Sequence, residues 1–242
     1  MTSKNQLKYL QAMGIQVWEL NNSDHMPKTV VRRCASKKTV EEVAYPDQHE
    51  KPIEELTWEE LKARVAKCTR CDLYKTRTQT VFGVGNQHAD LLIVGEAPGA
   101  NEDKQGEPFV GRAGKLLNSM LQAIGLSREE IFIANILKSR PPENRDPKAE
   151  EVAACTPFLI RQIELIQPKL ILAVGRIAAQ FLLHTTEAMG KLRGQEFTYG
   201  PYKTPLLVTY HPAYLLRSPR DKRKAWEDLQ LVLQRLQQLQ NN

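Results

Sequence analysis

Leu91-Leu92-Ile93-Val94-Gly95-Glu96-Ala97-Pro98-Gly99 is the stretch on which the reading of the fold turns. Four consecutive apolar residues, too few for a helix and closed by glycine and proline, read as a strand buried on both faces. Such a strand needs cover above and below. Outward from it, short β-rich runs recur at residues 131–136, 170–174 and 206–209, separated by amphipathic stretches at residues 113–124, 148–166, 177–183 and 221–239. That alternation predicts a three-layer α/β/α domain around a central, mostly parallel sheet. Ligands of such sheets sit beyond the carboxyl ends of the strands, so chemistry is expected after Val94, Ile136, Val174 and Thr209.

The chain has 242 residues, 41% of them hydrophobic, which can supply a core and excludes collagen-like, mucin-like and wholly disordered classes. No apolar run approaches the roughly 20 residues of a membrane helix. Residues 1–20 lack the basic, apolar and small-residue regions of an export signal, so a cytoplasmic protein without membrane contact is expected. Thr57 and Glu60 have the spacing of a capping box and open a helix ending near Lys67. Three regions follow: a peptide over residues 1–20 with Leu7, Leu10, Met13, Ile15, Val17 and Trp18, a polar linker over residues 21–55, and a folded domain over residues 56–242.

The formal charge of +6 is unevenly spread. Residues 216–224 hold Arg217, Arg220, Lys222, Arg223 and Lys224 against Asp221, a local +4, whereas residues 41–60 hold eight acidic residues against Lys51, a local −7. A basic run of this kind is either a solvated helix face or a surface for a polyanion.

After the first strand, Gly95, Gly99, Gly106, Gly111 and Gly114, with Pro98 and Pro108, define a tight loop whose backbone can approach a ligand closely. It is no P-loop, because no Gly-Lys-Ser/Thr closes it. Phe109 within it is either a core residue or a platform on which a base stacks. Asn135, at the end of the second strand, carries an amide able to read a carbonyl and an N–H on a base edge. His211 ends the last strand and leads straight into the basic run.

Cys34, Cys68, Cys71 and Cys155 are too few and too irregular for a disulfide framework. Cys68-Thr69-Arg70-Cys71 offers two thiolates to one metal, but two ligands hold neither zinc nor an iron–sulfur cluster. The pair is either half of a metal site or two ordinary thiols.

Together, Gly95-Glu96-Ala97-Pro98-Gly99, Pro108-Phe109-Val110-Gly111, Asn135 with residues 138–144, and His211-Pro212 with Leu215-Leu216-Arg217 resemble, in order and spacing, the family 4 uracil-DNA glycosylases. The resemblance covers residues 56–239. It implies a single-domain repair enzyme that hydrolyses the N-glycosidic bond of deoxyuridine in DNA, releases uracil and leaves an abasic site. The alternative is a relative that binds uracil or single-stranded DNA without turnover. Glu96, His211 and Asn135 match the catalytic positions, with Glu96 helping to place water and His211 donating to uracil O2. Gly95, Ala97, Phe109, Asn135 and His211 match the positions around the base, Phe109 stacking on it and Asn135 reading its edge. Lys138, Arg140, Arg145, Arg217, Arg220 and Lys222 are the expected DNA contacts.

The family also implies a [4Fe–4S] cluster held by four cysteines. Cys68, Cys71 and Cys155 match three of them, but the remaining position is Ser139, a poor iron ligand because its hydroxyl is far less acidic than a thiol. A cluster on three cysteines and a substitute, recruitment of Cys34, or no cluster are the options. Relatives that trap the base covalently use a histidine in a loop after the second strand, and residues 140–147 contain none. A monomer is expected. Residues 7–18 are faintly similar to the start of the psi subunit of the bacterial clamp loader, which implies a replication or repair partner for the N-terminal peptide.

Overall fold

A computed structural model describes residues 51–240. The N-terminal peptide and nearly all of the linker, with Cys34, lie outside the described residues.

Among the described residues, six strands form one sheet: β1 (Val84–Gly85), β2 (Leu91–Gly95), β3 (Phe132–Asn135), β4 (Leu170–Val174), β5 (Phe197–Tyr199) and β6 (Thr204–Thr209). The helices are α1 (Trp58–Ala66), α2 (Ala100–Gln105), α3 (Arg112–Ala123), α4 (Ala149–Ile166), α5 (Arg176–Leu183), α6 (Met189–Leu192), α7 (Pro212–Arg217) and α8 (Lys222–Gln240). The sheet order is β1-β3-β2-β4-β6-β5, parallel from β3 through β6, with β1 and β5 antiparallel at the edges. From β2 the chain moves outward to β3 and later returns to β4 on the other side. The direction of winding therefore reverses between β2 and β4, where the loops part and leave a crevice at the carboxyl ends.

Burial explains the three layers. Leu92 and Val94 of β2 and Ile171 and Ala173 of β4 pack with Cys155, Leu159 and Ile163 of α4 and Ala178, Ala179 and Leu182 of α5. The alternate residues, Leu91 and Ile93 with Leu170, Leu172 and Val174, pack against Leu117 and Leu121 of α3 and Leu229, Val232 and Leu236 of α8. The period-2 pattern thus feeds two cores, each aliphatic side chain contributing about 2 kcal/mol by leaving water. A third cluster seats Leu61 and Val65 of α1 against Phe82 and Phe158.

The expected capping box is formed: Glu60 N–H donates to Thr57 Oγ1, and Thr57 N–H donates to the Glu60 carboxylate. Five elements were not legible in the sequence: β1, β5, α2, α6 and α7. The edge strands are only two and three residues long, and β1 is preceded by Gly83 and ends in Gly85, both at positive φ. Helix α2, one alanine followed by five polar residues, is bounded by the caps Gly99 and Gly106. Pro212 at its first position starts α7, directly after β6.

Candidate active site

Glu96, Ala97, Phe109, Asn135, Arg145, Asp146, His211 and Arg217 line a single cleft of about 480 Å³ in that crevice. Gly95, which does not itself line the cleft, lies against two of the residues that do: a Cβ there would stand 2.4 Å from Asn135 Oδ1 and 2.8 Å from the Phe109 ring. Only glycine leaves room for both side chains beside β2.

Asn135 ends β3 and is 2% exposed. Among the described residues, its Oδ1 is buried with no hydrogen-bond partner. A buried acceptor left unpaired costs about 1–3 kcal/mol, a cost removed when a ligand brings an N–H. The segment beneath it is tightly tethered. Ile136 and Leu137 N–H donate to the carbonyls of Gly95 and Glu96, and Val81 N–H donates to Lys138 O.

His211 is the N-cap of α7, its Nδ1 accepting from Ala213 N–H at 3.1 Å. An amide donor on Nδ1 places the ring proton on Nε2. Burial, helped by the Arg217 charge, lowers the imidazole pKa to about 4, so His211 is a neutral donor. Gly175, with φ of +97°, lies under it, and a Cβ there would be 2.9 Å from His211 Cβ.

Phe109 is 6% exposed, its ring 5.6 Å from that of His211 and tilted by 32°. Its φ of +54° is left-handed, a conformation that costs a non-glycine residue about 1–3 kcal/mol and lasts only where the surroundings enforce it. Glu102 Oε1 accepts from Val110 and Gly111 N–H, both at 3.0 Å. Sequence reasoning missed Glu102; its place among the polar residues of α2, beside Asp103, hid it, and only its position shortly before a glycine-rich loop was a signal.

Glu96 is partly buried, and desolvation, reinforced by the Asp146 carboxylate and opposed by Arg176, raises its pKa to about 7. Asp146 pairs with Arg176 at 3.2 Å on the cleft rim.

The expected DNA contacts divide. Arg217 is exposed on the cleft wall, and Arg220 and Lys222 are exposed beyond it. Arg145 lines the cleft but binds the Glu151 carboxylate through two nitrogens at 2.9 and 2.5 Å, and Arg140 Nε donates to Asn144 Oδ1 at 2.8 Å. Lys138 requires correction as a DNA contact. It is 1% exposed, with Nζ donating to Asn135 O at 2.8 Å and Gln162 Oε1 at 2.6 Å, so no phosphate reaches it. Burial lowers its pKa to about 7.

Cys155 is buried, and Cys68 and Cys71 are half-buried. Burial raises the Cys71 thiol and pushes Cys155 up to about 11. At the expected fourth position, Ser139 Oγ is 3.0 Å from Arg77 Nη1, which donates to it. Among the described residues, no three His, Cys, Asp or Glu side chains are grouped to hold a metal ion. This donor set does not fit a cluster held by four thiolates: one corner is a hydroxyl already engaged by a guanidinium.

A larger cavity, about 820 Å³, lies at the opposite end of the sheet, where β4 and β6 begin, among Ile160, Ile163, Leu182, Tyr199, Tyr202 and Pro205. Among the described residues, no helix is long and apolar enough to cross a membrane.

Residues 82–230 match a family model described as the uracil-DNA glycosylase superfamily. The chain is 42% identical over 180 residues to a type-4 uracil-DNA glycosylase of Archaeoglobus fulgidus, spanning 72% of this chain and 90% of that one. It is 46% identical over 179 residues to a type-4 enzyme of Saccharolobus solfataricus, 71% of this chain and 83% of that one. With a type-4 enzyme of Thermotoga maritima the identity is 46% over 156 residues, 64% of this chain and 81% of that one.

Proposed function

The chain belongs to the uracil-DNA glycosylase superfamily and within it to the type-4 enzymes, and from that premise we propose that it excises uracil from DNA by hydrolysis in the cleft between β2 and β4. The observation that carries the reading is the orphaned Asn135 Oδ1 on the wall of that cleft. Uracil N3–H supplies the missing donor. Cytosine N3 carries no hydrogen and leaves the acceptor unpaired, and groups that fail to satisfy a buried partner are rejected strongly.

Stacking and pairing hide the uracil in a duplex, so it leaves the helix at a cost of a few kcal/mol. Arg217, Arg220 and Lys222 offset this by binding phosphates on either side. The everted base lies on the Phe109 ring with its edge to Asn135. The C1′–N1 bond then breaks, its electron pair passing to the uracil ring and O2. His211, neutral and protonated on Nε2, donates to O2 and stabilises the departing anion without losing its proton; one such donor contributes about 10²–10³ in rate. Water attacks C1′ on the opposite face. Its proton passes to the Glu96 carboxylate, a term worth about 10²–10⁴.

In the same reading residues 56–242 form the catalytic unit, acting as a monomer in the cytoplasm, and residues 1–20 dock to a replication or repair protein. The support for the last point is the apolar cluster ending in Trp18. A uracil-containing oligonucleotide incubated with the protein and then with alkali tests the activity. Cleavage at the uracil is expected, and binding without cleavage would leave a non-catalytic reader instead.

A further inference from the structure

We propose that Arg128 is the positioning residue that sets the stacking platform, working with Glu102 as a two-sided clamp on the backbone of Phe109. Neither residue stood out in the sequence. Arg128 Nη1 donates to Phe109 O at 3.3 Å, and Nη2 donates to Pro108 O. From the other side Glu102 takes the amides of Val110 and Gly111. The peptide groups before and after Phe109 are thereby fixed, the carbonyls by a cation and the amides by an anion. Gly114 of α3 closes the third side, since a Cβ there would fall 1.7 Å from Phe109 O. Arg128 is aimed by Asn118 Oδ1, 3.2 Å from Nη1. Its guanidinium is partly buried, and desolvation lowers its pKa.

This constellation explains how Phe109 keeps a left-handed φ beside an open cleft. Relaxed to an ordinary φ, the backbone would swing the ring off Gly95 and away from His211. Arg128 is not among the residues lining the cleft, so it acts on the base only through Phe109. Its planar fork reaches two successive carbonyls, which the single ammonium of lysine does not reproduce.

The inference rests on the reading of Phe109 as the uracil platform, and a double-mutant cycle separates the two. Single-turnover excision rates and inhibition by free uracil are measured for wild type, Phe109→Ala, Arg128→Met and the double variant, with Arg128→Lys as the milder change should Arg128→Met fold poorly. Thermal unfolding of each reports on the fold. Arg128→Met is expected to lower the rate about 10–100-fold and to weaken inhibition by uracil, as a platform displaced by an ångström would. The double variant should be no slower than Phe109→Ala, because the clamp has nothing left to position. Multiplying effects, or an Arg128 variant as fast as wild type, would overturn the clamp alone. A Phe109→Ala protein with full activity would overturn the platform and the clamp together.

Discussion

At His211 and Glu96 two ionisable groups of the cleft are driven in opposite directions by desolvation. The imidazole is lowered to about 4 and the carboxyl raised to about 7, so a neutral donor and a carboxylate coexist only above the Glu96 value. Under single-turnover conditions the excision rate should rise with pH, half-maximal near 7, with no loss from His211 until well below. Glu96→Gln should be slow and flat across that range; a wild-type profile without inflection would remove Glu96 from the water's path. The stability effect runs the other way. A raised pKa means that the folded state holds the proton more tightly, a contribution complete below the ordinary value of 4.5 and lost as pH rises through about 7. Glu96→Gln should therefore melt higher than wild type above pH 7, a trade of stability for function measurable by calorimetry.

At the scale of elements, the turn after β3 shows what a linear reading misses. Lys138 opens Lys138-Ser139-Arg140, which reads as a basic surface beside the site, yet the ladder from β2 continues through Leu137 and carries Lys138 under α4 to Gln162. A lysine directly after the apolar run Ile136-Leu137 has the same local sequence whether the chain turns out or in. Only packing decides. Gln162 Nε2 in turn donates to Phe82 O, so the buried ammonium joins β3, α4 and the strand-free segment before β1. Lys138→Met should destabilise by about 2–4 kcal/mol in urea unfolding, because Asn135 O and Gln162 Oε1 lose their donor inside the protein. The salt dependence of DNA binding should not change. Lys222→Ala, by contrast, should leave stability unaltered and lower the salt slope by about 1. Ser139 makes a related case. Restoring a thiol with Ser139→Cys should raise iron and sulfide per chain in protein purified without oxygen, relative to wild type, and equal contents would dissociate this corner from any cluster.

At the scale of the whole molecule, the parts legible from sequence are those with a repeating physical signature. Strands buried on both faces, helices with an apolar stripe and a Thr57–Glu60 cap each repeat or pair within a few residues, so order and layering follow. Convergence of Glu96, Phe109, Asn135 and His211 was an inference from the winding rule, and the cleft between β2 and β4 unites them. The restraints on those groups were not legible, because Glu102 and Arg128 grip backbone atoms of the Phe109 loop and Ala213 offers its own amide to His211, and backbone atoms have no sequence pattern of their own. Two cavities now compete for a pyrimidine: the cleft at the carboxyl ends, with Glu96, Asn135 and His211, and the larger hollow by Tyr199 and Tyr202 at the amino ends. A crystal structure with free uracil decides between them. The base should lie against the Phe109 ring with N3 within hydrogen-bond reach of Asn135 Oδ1 and O2 facing His211 Nε2; uracil seated in the hollow by Tyr199, or bound in the cleft with Asn135 Oδ1 still unpaired, would contradict the account.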